Sequence, residues 1–243
     1  MRNNWMTLFV AKLAVVMSIA GTALAAEPKV TVVAEGLDNP SGIAVQPGTG
    51  HVFVASHAGV HRIDPKTGKS TAEVTGYPNP TDIYGKGPKY PIGPLGLAFL
   101  DKNTLIVGDG SRVDGEELVR VYKVGDAPAA QPQKEDAAAV TLGPIGPCEK
   151  SPKGEGNFYG VATNGSTIAV TCNGDDTKGW IALSKKSGAK WGALDLAIAT
   201  KEAVNVDAPG PIAYSSDGKD LVVGQIGEVN QAGDSLLTIY GED

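Results

Sequence analysis

The chain has 243 residues, with 21 basic against 27 acidic side chains and a formal net charge of −6. Such a surface carries no lysine- or arginine-rich stripe to neutralise phosphates, which excludes nucleic acid as a partner class. Glycine (32) and proline (16) are abundant, but they fall between apolar runs, so they mark turns between strands and not disorder.

Residues 1–25 read as an export leader. Arg2 and Lys12 make a basic start, an apolar run follows from Leu13 to Leu24, and Ala23-Leu24-Ala25 matches a small-residue cleavage site. The run is too short to span a bilayer comfortably, and no other stretch qualifies. The expectation is a signal peptide over 1–25, a single domain over 26–243, a secreted or periplasmic location, and no membrane span after cleavage.

Four stretches of the domain repeat one pattern. They begin at Asn39-Pro-Ser-Gly-Ile-Ala-Val45, Gly93-Pro-Leu-Gly-Leu-Ala-Phe99, Asn157-Phe-Tyr-Gly-Val-Ala-Thr163 and Ala208-Pro-Gly-Pro-Ile-Ala-Tyr214. Each gives an inner strand A, a tight polar turn and an apolar strand B. Turn residues able to take positive φ separate A from B: Pro47-Gly-Thr-Gly50, Asp101-Lys-Asn103, Asn164-Gly165 and Ser215-Ser-Asp-Gly218. Strand C is Val60–Ile63, Leu118–Tyr122, Trp180–Leu183 and Leu236–Tyr240. Strand D is Thr71–Tyr77, Ala138–Leu142 and Trp191–Leu196. The fourth repeat lacks a D strand, while Lys29-Val-Thr-Val-Val33 is a spare one.

Short-strand repeats of this length are the mark of a β-propeller. The fold expected is all-β, with four four-stranded blades and the N-terminal strand closing the last. Five or six blades fit the length less well. A four-blade half-ring completed by a second copy is a further possibility, and it requires an exposed strand edge and an apolar dimer face.

Cys148 and Cys172 are the two cysteines. In an exported protein such a pair is expected to form a disulfide; two free thiols are the alternative. Their spacing fits no zinc pattern.

Pro40-x-Gly42-Ile43-Ala44 followed by Val52-Phe53-Val54-Ala55, and Ser216-Asp217-Gly218-Lys219 followed by Leu221-Val222-Val223, resemble the NHL-like and gluconolactonase-like six-bladed propeller superfamily. The resemblance implies a calcium-type cation in the central channel. It nominates Glu35, Asp109, Asn157 and Asn173 as cation ligands, with Asp109 also a catalytic candidate. Gln225 stands where that family places an aspartate.

The D-to-A and B-to-C connections are the long ones, and they open on one face, where function on a rigid scaffold concentrates. The B-to-C loops carry Asp109, Asp114, Glu116, Glu117, Asp175, Asp176, Glu228 and Asp234. Such oxygens suit Ca²⁺ or Mg²⁺, or form a solvated rim. The 77–90 loop carries Tyr77, Tyr84 and Tyr90, whose flat apolar faces suit sugars, aromatic ligands or proteins. Tyr84, Tyr90, Asp175 and Gln225 are therefore expected at the ligand face. His57 ends strand B on that face and is a second catalytic candidate. No Gly-x-Ser-x-Gly elbow or dinucleotide fingerprint occurs.

The residues support an exported propeller that binds a small molecule, carbohydrate or protein, with a homodimer possible. The alternative is a divalent-cation-dependent hydrolase of the lactonase type, in which the metal polarises a carbonyl and a carboxylate activates water.

Overall fold

Short apolar runs between turn residues build four sheets in chain order, antiparallel except for one short parallel strand in the first. The computed structural model describes residues 29–57, 59–78, 92–175, 177–228 and 230–241. The leader, Tyr84 and Tyr90 lie outside these residues.

The first sheet holds β1 (Ile43–Val45), β2 (Val52–Ser56), β3 (Gly59–Ile63) and β4 (Ser70–Thr75). The second holds β5 (Leu97–Asp101), β6 (Thr104–Gly108) and β7 (Val119–Lys123). Between its third and last strands the chain leaves for the first sheet, where β8 (Gln133–Lys134) runs parallel to β4. It returns as β9 (Val140–Leu142) against β7. The third sheet holds β10 (Val161–Thr163), β11 (Thr167–Cys172), β12 (Trp180–Ser187), β13 (Lys190–Trp191) and β14 (Asp195–Ala199), and a five-residue helix α1 (Thr200–Val204) follows. The fourth holds β15 (Pro209–Tyr214), β16 (Leu221–Gln225) and β17 (Leu236–Tyr240).

The A–B turns form as their residues require. Gly48 and Gly50 take φ of 81° and 75°, and Gly165 and Gly218 take 93° and 74°. The Asp101 carboxylate accepts from the Asn103 N–H at 2.8 Å and the Thr104 hydroxyl at 3.0 Å.

Three cores sit at the three sheet junctions. Phe53, Val60 and Val74 of the first sheet pack on Leu105, Val107 and Tyr122 of the second. Ile106, Val121 and Leu142 pack on Phe158, Ile168, Val170 and Trp180. Ala169 and Ile181 of the third sheet pack on Leu221 and Val223 of the fourth. The inner strands β1, β5, β10 and β15 pack side by side in that order. Consecutive sheets with adjacent first strands are the arrangement of propeller blades. Among the described residues no comparable packing joins β1 to β15.

A glycine makes each junction possible. A Cβ on Gly42 would lie 2.0 Å from the Leu95 carbonyl oxygen, one on Gly96 2.6 Å from Val161 Cγ2, and one on Gly160 2.3 Å from the Gly210 carbonyl oxygen. The glycine before Ile43, Leu97 and Val161 in the repeat exists because the next inner strand crosses there.

Three expectations are corrected. Lys29–Val33 forms no strand, and Val30 and Val32 lie 82% and 67% exposed; alternate valines without a covered face gain nothing from strand pairing. The fourth sheet accordingly has three strands. In the third sheet the D strand begins at Asp195, because β12 runs on to Ser187 and first folds back onto β13 around Gly188. Cys148 and Cys172 are both free: Cys172 is buried within the junction core, while Cys148 is exposed on a loop.

Candidate functional site

The loops after β6 and before β10 build a buried polar layer on the long-loop face. Asp109 follows β6 and is wholly buried. Its Oδ1 accepts from the Ser111 backbone N–H at 2.8 Å and hydroxyl at 2.6 Å. Its Oδ2 accepts from Arg112 Nη1 and, at 3.2 Å, from Arg120 Nη1. The other ends of both guanidinium groups donate to Glu135 Oε1. Two arginines thus share two carboxylates, and the buried charges cancel. Burial works against the Arg112 charge, but Asp109 and Glu135 beside it hold its pKa above the ordinary arginine value. Tyr122 donates to the Glu135 carbonyl at 2.8 Å and lies 3.1 Å from the Tyr77 hydroxyl, so Tyr77 is the donor of that pair. Burial pushes Tyr122 up to about 12.

Glu117 lies against Asn157, in the D-to-A loop before β10. Its Oε2 accepts from the Asn157 N–H at 2.5 Å. A Cβ on Gly156 would meet that oxygen at 1.4 Å, so only glycine fits there. Burial, reinforced by the charges of Asp109 and Asp114, pushes Glu117 up to about 9. At neutral pH it is a neutral acid. Asp114 Oδ1 accepts from Asn157 Nδ2 at 3.2 Å.

Backbone bonds join the neighbouring candidates into the same layer. The Phe158 N–H donates to the Asp109 carbonyl, and the Asn173 N–H donates to the Gly156 carbonyl. Asn173 Nδ2 reaches the Pro209 carbonyl at 2.8 Å. Asp109, Asn157 and Asn173 therefore stand in adjacent loops. Glu35 is exposed. His57 pairs with Asp38 at 2.8 Å on the first sheet. Asp175 is buried and accepts from the Ser151 hydroxyl at 3.4 Å. Gln225 is buried, donates to the Val206 carbonyl at 2.7 Å and accepts from Thr238 and Tyr240 at 2.6 and 3.1 Å. Among the described residues no three His, Cys, Asp or Glu side chains are grouped to hold a metal ion.

Residues in and just before the four inner strands line an open cavity of about 240 Å³. Ser41, Ile43, Leu97, Tyr159, Val161, Pro211 and Ile212 line it together with Gly42, Gly96 and Gly160. Asn157 takes a left-handed φ of 48° and its carbonyl accepts from the Tyr159 N–H; this tight turn carries Tyr159 to the cavity, 46% exposed. No carboxylate is among the described residues lining it. Sequence reasoning passed over Tyr159 because it weighed the tyrosines of the 77–90 loop and the acidic loops instead.

No protein-family model and no curated protein matches the chain. Among solved structures it is similar to the Swd1 β-propeller domain of Myceliophteria thermophila, at 12% identity and a TM-score of 0.44, over 77% of this chain and 50% of that one. It is also similar to the extracellular domain of a putative one-component system from B. thetaiotaomicron, at 14% identity and a TM-score of 0.41, over 78% of this chain and 19% of that one. The chain thus spans half the length of the first and less of the second.

Proposed function

We propose that the chain is an exported propeller-type binding module that takes an apolar or aromatic group of its ligand into the axial cavity on the long-loop face. The observation that carries this is one cavity lined by residues of all four inner strands, with a half-exposed tyrosine at its side. Concave, mostly apolar sites with a few polar groups are the usual form of ligand pockets. Tyrosine adds a flat face and a hydroxyl. The nearby carboxylates favour binding over hydrolysis: Asp109 is neutralised by two arginines, Asp175 is turned to Ser151, and Glu117 is protonated. The leader motif in residues 1–25 supports export.

The test is saturation-transfer NMR on the mature chain with N-acetyl-tyrosine amide and p-nitrophenyl glucoside as probes. Transfer to the probe rings, lost in Tyr159→Ala with an unchanged circular dichroism spectrum, is expected. No transfer to either probe, or transfer that survives the substitution, overturns the reading.

A further inference from the structure

A second concavity lies at the other ends of the inner strands, on the face opposite the long loops. It is an open cleft of about 430 Å³ where β5, β10 and β15 run into their A–B turns. That volume falls within the roughly 300–1,000 Å³ of small-molecule sites. Phe99 and Tyr214 line it with aromatic side chains, and Asn164, Ser216 and Asp217 with polar ones. The three polar residues are exposed.

The repeat does not by itself require a cleft at this end. The turns of the first and second sheets are laced together: Gln46 Nε2 donates to the Lys102 and Gly125 carbonyls at 2.9 and 3.1 Å, and Lys102 pairs with Asp126 at 2.7 Å. The turns of the third and fourth sheets are joined through Asn164, whose Nδ2 donates to the Gly218 carbonyl at 2.9 Å. Its Oδ1 accepts the Ser166 and Thr167 N–H groups at 3.1 and 2.9 Å. Asp217 is fixed in the same way, its Oδ1 accepting from the Ser215 hydroxyl at 2.7 Å and the Lys219 N–H at 3.3 Å. These bonds hold its carboxyl below the usual carboxylate range. Its Oδ2 lies 4.0 Å from the Lys219 ammonium, an exposed pair that contributes little. The turns are thus rigid, and they present an amide, a hydroxyl and a carboxylate oxygen beside two aromatic rings.

The lining narrows the class of ligand. No Lys, Arg or His is among the described residues around the cleft, so an anion finds no counter-charge there. A single carboxylate supplies too few oxygens for Ca²⁺. A wholly apolar group would cover the polar side chains without bonding them, which costs free energy. Hydroxyl groups both donate and accept, and so match the Asn164 amide and the Asp217 oxygen together. The rings of Phe99 and Tyr214 offer flat apolar faces to a ligand that has C–H groups as well. We infer that the cleft at the turn ends of β5, β10 and β15 is a binding site for a neutral saccharide, with Phe99 and Tyr214 against the C–H face of a sugar ring and Asn164, Ser216 and Asp217 bonded to its hydroxyls. This does not depend on the axial cavity being a ligand site.

Saturation-transfer NMR on the chain with methyl α-D-glucopyranoside, methyl β-D-galactopyranoside and methyl α-D-mannopyranoside tests this. None of the three carries an aryl group for the axial cavity to take. Transfer to the pyranose C–H protons of at least one glycoside is expected, and it should persist in Tyr159→Ala. Affinity should fall about tenfold in Asp217→Asn, because a hydrogen bond to a charged acceptor is lost. Should that variant disturb its turn, Ser216→Ala removes a hydroxyl from the same cleft and reads the same site. Absence of transfer to all three glycosides, transfer lost in Tyr159→Ala, or affinity unchanged in both Asp217→Asn and Ser216→Ala overturns the inference.

Discussion

Replacing Gly96 by alanine tests the blade packing directly. Its φ is not in the left-handed region, so backbone conformation raises no objection and only space decides the outcome. The new Cβ would lie 2.6 Å from Val161 Cγ2, 2.7 Å from the Tyr159 carbonyl oxygen and 3.0 Å from that of Phe158. Two of these three are backbone atoms of the next blade and cannot rotate away. Overpacking of this kind costs about 1–3 kcal/mol. The alanine recovers less than about 1 kcal/mol by narrowing the unfolded ensemble. The net expectation is a loss of about 1 kcal/mol, which lowers Tm by about 2–4 °C in a domain of this size. Gly146→Ala is the matched control. Nothing lies within 4 Å of its Cβ and its φ is ordinary, so it should raise Tm by about 1–2 °C. Calorimetric melts of the two variants and the parent chain decide. If Gly96→Ala melts within about a degree of Gly146→Ala, the inner strands do not cross as described.

Glu117→Gln should alter the pH dependence of stability. The folded pKa of about 9 lies above the ordinary value of 4.5, so the contribution of Glu117 is present below the ordinary carboxylate range and is lost as pH rises towards 9. The variant should match the wild type near about pH 5 and exceed it near about pH 8.5; a residual slope should remain, because burial also raises Glu73 and Glu155. Parallel pH profiles for the two proteins would refute a buried neutral acid. Asp109→Asn removes the carboxylate shared by Arg112 and Arg120 and should cost about 3–5 kcal/mol in urea unfolding; an unchanged midpoint would mean that the network is not formed. Native protein should alkylate one thiol per chain, Cys148, with Cys172 reacting only after unfolding. Two unreactive thiols that appear on reduction would restore the disulfide.

The strands were legible because their signals are local. Val52-Phe-Val-Ala55, Leu105-Ile-Val107 and Leu221-Val-Val223 are apolar runs between turn residues that leave few conformations open, and the structure has strands at each. The fourth-sheet strands show the same pattern, and the apolar face of Leu237 and Ile239 can be read from alternation alone. Other features carried no such signal. β8 is two polar residues, Gln133 and Lys134, and is a strand only because β4 lies beside it. The spare valines at 30, 32 and 33 look like a strand until a covering partner is sought.

The polar residues show the limit most clearly. Asp109, Glu117 and Asp175 could be read as a solvated rim or as cation ligands, since a carboxylate in a loop looks the same in either setting, and Gln225 was expected at the ligand face. The structure buries all four and gives each its own partners. Asp109 meets arginines 3 and 11 residues away, Glu117 meets Asn157 40 residues away, and Gln225 meets the last strand. Sequence by itself determined the all-β class, the four-fold repeat, the turns and the position of each junction glycine, because these follow from side-chain period and backbone preference over a few residues. Only the tertiary structure decided why those glycines are needed, which acids are neutral or neutralised, that the cysteines are apart, and that, among the described residues, the first and last inner strands lack the side-by-side packing of the others. Each of these depends on contact between residues distant in the chain, and burial, not residue type, sets the charge state and partner of a polar group.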